Sequence, residues 1–216
     1  MKHRLIHSVF VKNEAHCISN MLESILPYVG DSYILVDNTT TDNTREIAKA
    51  HGCHVKDFKF ENFGKAQNTL FSWVKDFSDW SFNMAPDETI SKEFGENLLK
   101  LIDDNQNSKV DGFHFPRRHW LDLEMKNEYT EVKWYPDVQL RLLRNDYPRI
   151  HTVKYVHEPI IGLRGSVVCM KFDLNHFNLY WKGRMEYTLD KMNTLYNSLM
   201  ALEKQEGGKN IWPDGD

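Results

Sequence analysis

The chain has 216 residues, 41% hydrophobic and 12% aromatic, enough for one large domain with a sizeable core and too apolar for disorder. Its formal net charge of −4 gives no global bias toward nucleic acid or anionic membranes. Cys17, Cys53 and Cys169 are dispersed, which argues against a disulfide framework or a C-x-x-C site and for a reducing, cytoplasmic setting.

No apolar run approaches the ~20 residues of a membrane span. The apolar stretch near the N-terminus is broken by His7, Lys12, Asn13 and Glu14, unlike a signal peptide. Residues 5–11 (LIHSVFV) are β-branched and apolar and predict a strand. Residues 17–26 space Ile18, Met21, Leu22, Ile25 and Leu26 as a helix does. Residues 33–36 (YILV) form a short apolar run typical of a strand buried on both faces. Asn43 with Glu46 predicts a capped helix over 44–51, and Gly52 stands where a helix-ending glycine belongs. A strand at 54–58, a helix at 66–77 and a strand at 80–84 follow. The second half predicts a helix at 91–102, a strand at 112–118, a polar loop or lid at 122–133 and a strand at 139–144. Short strands follow near 154–159, 166–170 and His176, then a helix over 185–204 and a tail.

Strand–helix alternation with short connections means βαβ units and a parallel sheet, whose ligands bind beyond the carboxyl ends of the strands. Carboxylates follow three of those ends: Glu14 after the first strand, Asp37 after the second, and Asp87 and Glu88 after the fourth. One shared site is the simplest reading. Lys65, at the mouth of a helix with free N–H groups, suits a diphosphate, although a solvated first-turn lysine looks the same in sequence.

Six segments in order carry a family pattern: Val11-Lys12-Asn13-Glu14, the run from Val36 to Thr44, Phe63 to Asn68, Trp80 to Glu88, Tyr135 to Arg144, and Val156-His157-Glu158. Together they resemble family 2 glycosyltransferases of the GT-A fold, over nearly the whole chain. The resemblance implies an α/β fold, a mostly parallel central sheet flanked by helices. It implies a single GT-A domain over 1–216, with a nucleotide-binding half at 1–90, an acceptor-binding half at 91–205 and a tail at 206–216. By the same resemblance, Val11, Lys12, Asn13, Glu14, Asp37, Lys65, Asn68, Ala85, Pro86, Asp87 and Glu88 line the donor nucleotide. Asp37 there accepts from base or ribose, while Asp42 and Asn43 read as helix caps.

The family's D-x-D motif holds a divalent metal on the donor diphosphate. Here it reads Ala85-Pro86-Asp87-Glu88, so its first aspartate is missing. Asp87 remains, with His176 as the second expected ligand, ahead of His157. Oxygen and imidazole donors beside phosphate suit Mn²⁺ or Mg²⁺. The free protein is expected to bind metal weakly. Inverting relatives use a late carboxylate as base, here Glu158, with Asp137 as the alternative. Arg117, Arg118, Arg141 and Arg144 can meet phosphate or acidic neighbours, and Trp120, Trp134 and Tyr135 can stack on sugars or pack.

The implied activity is transfer of a sugar from a nucleoside-diphosphate donor, UDP-linked as first expectation, to a hydroxyl of a glycan or glycoconjugate. It is expected to be inverting and metal-dependent, with no nucleic-acid partner and no membrane span. Two alternatives stand beside it: a sugar nucleotidyltransferase, and a nucleotide-sugar-binding module without catalysis, which Ala85 keeps open.

Overall fold

The computed structural model describes residues 3–130, 135–154, 159–182 and 189–205. Four parallel strands form its first half: β1 (His3–Val11), β2 (Ser32–Asp37), β3 (His54–Phe58) and β4 (Ser78–Phe82), in spatial order β3-β2-β1-β4. Helices α1 (Ile18–Ile25), α2 (Thr44–Ala50) and α3 (Phe63–Val74) make the crossovers. All six residues of β2 are buried, as the YILV run predicts for a strand between two neighbours. Alternate residues serve opposite faces. Leu5, Val9, Ile34 and Val36 pack with α1 and with α4 (Lys92–Asp104), while Ile6, Tyr33 and Leu35 meet Leu70 and Val74 of α3.

The second half extends the sheet through β5 (Glu88–Thr89), β6 (Val110–His119), β7 (Asp137–Arg144) and β11 (Leu174–His176), in the order β4-β7-β6-β11-β5. Strand β10 (Ser166–Cys169) also pairs with β6, and β8 (His151–Thr152) with β9 (Ile160–Ile161) forms a separate ribbon. Helices α5 (Asn178–Lys182) and α6 (Leu189–Gln205) close the described chain. Strand β7 runs antiparallel to β4 and β6, and β11 parallel to β6. The carboxyl ends of β6 and β11 and the amino end of β7 therefore lie along the same edge as the carboxyl ends of β1, β2 and β4.

Several local expectations change. Helix α3 begins at Phe63, three residues earlier than its apolar spacing suggests, because Asn62 caps it by accepting from the Lys65 N–H at 2.8 Å. Asn43 makes no side-chain cap on α2; Asp42 takes that role, accepting from the Thr44 N–H at 3.0 Å. Gly52 does end this segment, at φ +76°. Ser91 caps α4 by accepting from the Phe94 N–H. The region 155–158, the lid's end at 131–134, the start of the last helix and the tail lie outside the described residues. Among the described residues, no helix is long and apolar enough to cross a membrane.

Candidate active site

The order β3-β2-β1-β4 places a topological switch point between β1 and β4, where the segments leaving their carboxyl ends diverge, the place where open α/β sheets take their ligands. Leaving β1, Asn13 adopts φ 55°, a left-handed conformation that asparagine tolerates, and accepts from the Thr41 N–H at 2.9 Å. The Glu14 N–H donates to Thr44 Oγ1 and the Ala15 N–H to Asp42. The β1 and β2 loops are thus tied to each other. Lys12 Nζ stands 3.4 Å from Asp37 Oδ2, and Asp37 Oδ1 accepts from the Thr39 N–H. Asp37 is a turn-forming carboxylate with one oxygen directed at an exposed cation.

The β4 side is held by His7, fully buried in β1. Its Nε2 meets the Met84 carbonyl at 3.2 Å and its Nδ1 the Ser32 hydroxyl at 2.8 Å, so the proton belongs on Nε2. Burial pulls its pKa from 6.5 down to about 4. After Met84, the Ala85 N–H donates to Glu88, and β5 pairs antiparallel with β11, placing Glu88 opposite His176. The Phe177 N–H donates to the Asp87 carbonyl at 2.9 Å. This register brings His176 Nε2 to 3.3 Å from Asp87 Oδ2.

Behind that pair lies a charged frame. Glu88 is fully buried and accepts from Arg117 and, in fork geometry, from Arg141. Asp137 accepts from Arg117, His119 and Gln139. The β6–β7 register skips one residue of β7 between Leu142 and Leu140, which leaves Arg141 at a bulge. On β6, Phe113 and Phe115 face the core, and two and four residues later Arg117 and His119 continue the same face into the site. Burial opposes the charge on Asp87, Glu88 and Asp137, but their cationic and hydrogen-bonding neighbours outweigh it. All three carboxyls are held below their usual range, Asp137 far below. Glu14 behaves oppositely. Burial first, then the nearby charges of Asp87 and Asp42, push it up to about 7 against a hydrogen bond from Cys17.

Asp87 and His176 therefore meet, and Lys12, Asn13, Glu14 and Asp37 share their edge of the sheet. Other expected residues are engaged elsewhere. Asn68 is fully buried, with its amide paired to the backbone of Thr152, so it cannot reach a donor. Lys65 Nζ lies 2.8 Å from Glu61. Val11 is buried in its strand, and Glu88 is enclosed by its arginines. The oxygens of Asp137 are occupied by strong donors, which suits a positioning carboxylate better than a base. Arg144 stacks on Trp80 and holds backbone carbonyls, and Arg118 pairs with Glu128 and Asp173. Trp120 donates to Asn175 at 2.9 Å. Glu158, His157 and Trp134 lie outside the described residues.

Sequence reasoning missed His119 and the pairing of Glu88 with two arginines. The period-2 pattern of residues 113, 115 and 117 would have extended to His119 had the strand been drawn one residue longer. His16 was also missed; its ring packs edge-on against Trp181 at 5.1 Å.

The model of glycosyl transferase family 2 matches residues 9–157. The chain belongs to this family. Membership sets aside the sugar-nucleotidyltransferase alternative and agrees with the GT-A fold. No curated protein matches the chain by sequence. Among solved structures it is similar to glucosyl-3-phosphoglycerate synthase from Mycobacterium tuberculosis, crystallised with Mn²⁺, UDP and glucosyl-3-phosphoglycerate. There the identity is 14%, with 99% of this chain and 82% of that one covered and a TM-score of 0.58. It is also similar to S. aureus TarS, with 16% identity, 81% of this chain covered and a TM-score of 0.52. This family 2 chain spans 36% of TarS and 60% of its 1–349 form. At such identities the likeness concerns the fold.

Proposed function

We propose that this family 2 glycosyltransferase moves a sugar from a nucleoside-diphosphate donor, UDP-linked, to a hydroxyl of a glycan or glycoconjugate, with Asp87 and His176 holding Mn²⁺ or Mg²⁺. The observation that carries the reading is the 3.3 Å approach of Asp87 Oδ2 and His176 Nε2 beside the switch point. Two ligands at right angles on a cation, each about 2.1 Å from it, stand roughly 3 Å apart, so the pair fits. When bound, the cation neutralises charge on the departing diphosphate. Ala85 leaves the protein one carboxylate short of the family motif, so the donor's phosphates supply the remaining oxygens. Mycobacterial glucosyl-3-phosphoglycerate synthase, with UDP and Mn²⁺ or Mg²⁺ in its crystals, supports this donor and these cations.

In this reading residues 1–216 are one GT-A domain, with residues 1–90 binding the nucleotide, 91–205 the acceptor and 206–216 a tail. Asp37 and Lys12 hold the nucleoside end, and Asn13 and Glu14 brace the β1 and β2 loops behind them. The Met84–Asp87 loop, fixed from below by His7, aims Asp87 at the phosphates. Glu158 takes the acceptor proton in an inverting displacement, which the family's His-Glu pair supports. Three free cysteines fit a reducing, cytoplasmic setting.

Calorimetry tests the core of this reading. Mn²⁺ is expected to bind much more tightly with UDP present than without, and Asp87→Ala to abolish the difference. Equal Mn²⁺ affinity with and without UDP would refute the bridge. UDP-sugar binding with no product at any metal concentration would favour the non-catalytic module.

A further inference from the structure

We propose that His119, backed by Asp137, is a positioning residue that fixes His176 as a metal ligand through its Nε2. This inference rests on the reading of Asp87 and His176 as the metal pair. His176 and His119 are direct partners in the β11–β6 ladder, and their Nδ1 atoms lie 3.0 Å apart. On its far side, His119 Nε2 lies 3.0 Å from Asp137 Oδ2. Arg117 and Gln139 hold Asp137 in turn. Both rings are buried, at 2% and 5% exposure, so water does not stand in for these bonds.

The geometry leaves His176 one orientation. Its two ring nitrogens point to opposite sides; with Nδ1 anchored on His119, Nε2 faces Asp87 and the cleft. A metal-bound neutral imidazole carries its proton on the other nitrogen. His176 Nδ1–H then donates to His119 Nδ1, and His119 Nε2–H donates to Asp137. Every donor in the chain finds an acceptor. The register extends this order into the sheet: Arg117 pairs with Asp137 across β6–β7, and His119 sits two residues on, on the same face.

The same three residues, His119, Asp137 and His176, present ligand atoms within 4.8 Å of one another, close enough for a cation among them. The charges argue against that use. The Asp137 oxygen nearest His119 also takes the Arg117 guanidinium, and His119 Nε2 is directed at that same oxygen. The two Nδ1 atoms left over face each other. The trio is a support behind the cation rather than a cage around one.

Electron paramagnetic resonance of Mn²⁺ with the protein and UDP tests this. The free-ion signal gives affinity, and nitrogen coupling in the pulsed experiment reports a directly bound imidazole. In His119→Phe, Mn²⁺ affinity is expected to fall about 10–100-fold with loss of nitrogen coupling, while UDP affinity without metal stays unchanged. His119→Asn, whose amide oxygen can accept from His176 Nδ1–H, is expected to restore the coupling and most of the affinity. Asp137→Asn removes the charge behind His119 and is expected to weaken Mn²⁺ about tenfold, which keeps the test in hand if His119→Phe does not fold. Wild-type affinity and coupling in the folded variants would overturn the support role. Mn²⁺ bound to the wild-type protein and UDP without nitrogen coupling would instead remove His176 as a ligand, and with it the reading on which this one rests.

Discussion

On the β1–β2 side of the site, Lys12 meets Asp37 at 3.4 Å with the Lys12 side chain about half in solvent. On the β6–β7 side, Glu88 is fully buried and takes guanidinium bonds from both Arg117 and Arg141. Both carboxylates are buried, but the cations differ: Lys12 stands in solvent and the two arginines are largely enclosed. An ion pair whose cation stands in water contributes about 0–1 kcal/mol, and here that cation, Lys12, is the partner free to meet a ligand, while Asp37 is buried beneath it. A buried pair is costly to break and its lone pairs are already filled. The first wall is therefore available for recognition, and the second is a frame that holds Asp87, His176 and Asp137 in place.

Variants can break this contrast. The largest effect is expected at Glu158, the proposed base. Glu158→Gln should lower turnover about 10²–10⁴-fold with UDP affinity nearly unchanged, read by steady-state kinetics beside calorimetry. Loss of stability with turnover per folded molecule preserved would make Glu158 structural. Next comes the frame. Arg141→Met strands half of the Glu88 charge and should cost about 3–5 kcal/mol in urea unfolding. Lys12→Ala, on the open wall, should cost under about 1 kcal/mol while weakening UDP binding. Equal stability losses at the two positions would erase the distinction between the walls.

The pH dependence sharpens it further. His7 is held neutral, with its pKa at about 4 against an ordinary 6.5. As pH falls below about 6.5 the unfolded chain takes a proton that the folded one refuses, so stability falls toward pH 4, by about 3 kcal/mol in all. Glu14, raised from 4.5 to about 7, has the opposite sign. As pH rises above about 4.5 the unfolded chain releases a proton that the folded one keeps, so stability falls toward pH 7, by less because Glu14 is partly exposed. Between pH 5 and 6.5 the two offset. Unfolding of His7→Gln should therefore lose stability as pH rises through this window, and Glu14→Gln should gain it. Parallel slopes in the two variants would contradict the assignment.

Much of the first wall was legible in sequence because local rules govern it. A strand buried on both faces reads as an apolar run, and residues after the strands of βαβ units lie at the ligand edge. Asp37, Glu14 and Asp87 were placed at that edge in this way. Asn68 and Glu88 were misjudged because their partners, Thr152 and the two arginines, lie 84, 29 and 53 positions away. Asn62 displaced the start of α3 through a single capping bond that apolar periodicity does not register. The face of His119 follows from the period-2 pattern of its strand, but its partners His176 and Asp137 depend on the registers of β6 with β11 and β7, which no local pattern encodes.

A crystal of the protein with UDP and Mn²⁺, examined by anomalous scattering at the manganese edge, tests the central claim most directly. The account predicts one strong peak within about 2.3 Å of both Asp87 Oδ2 and His176 Nε2, and in contact with the diphosphate. A peak on the diphosphate with Asp87 and His176 still bonded to each other, or a peak elsewhere in the molecule, would contradict it.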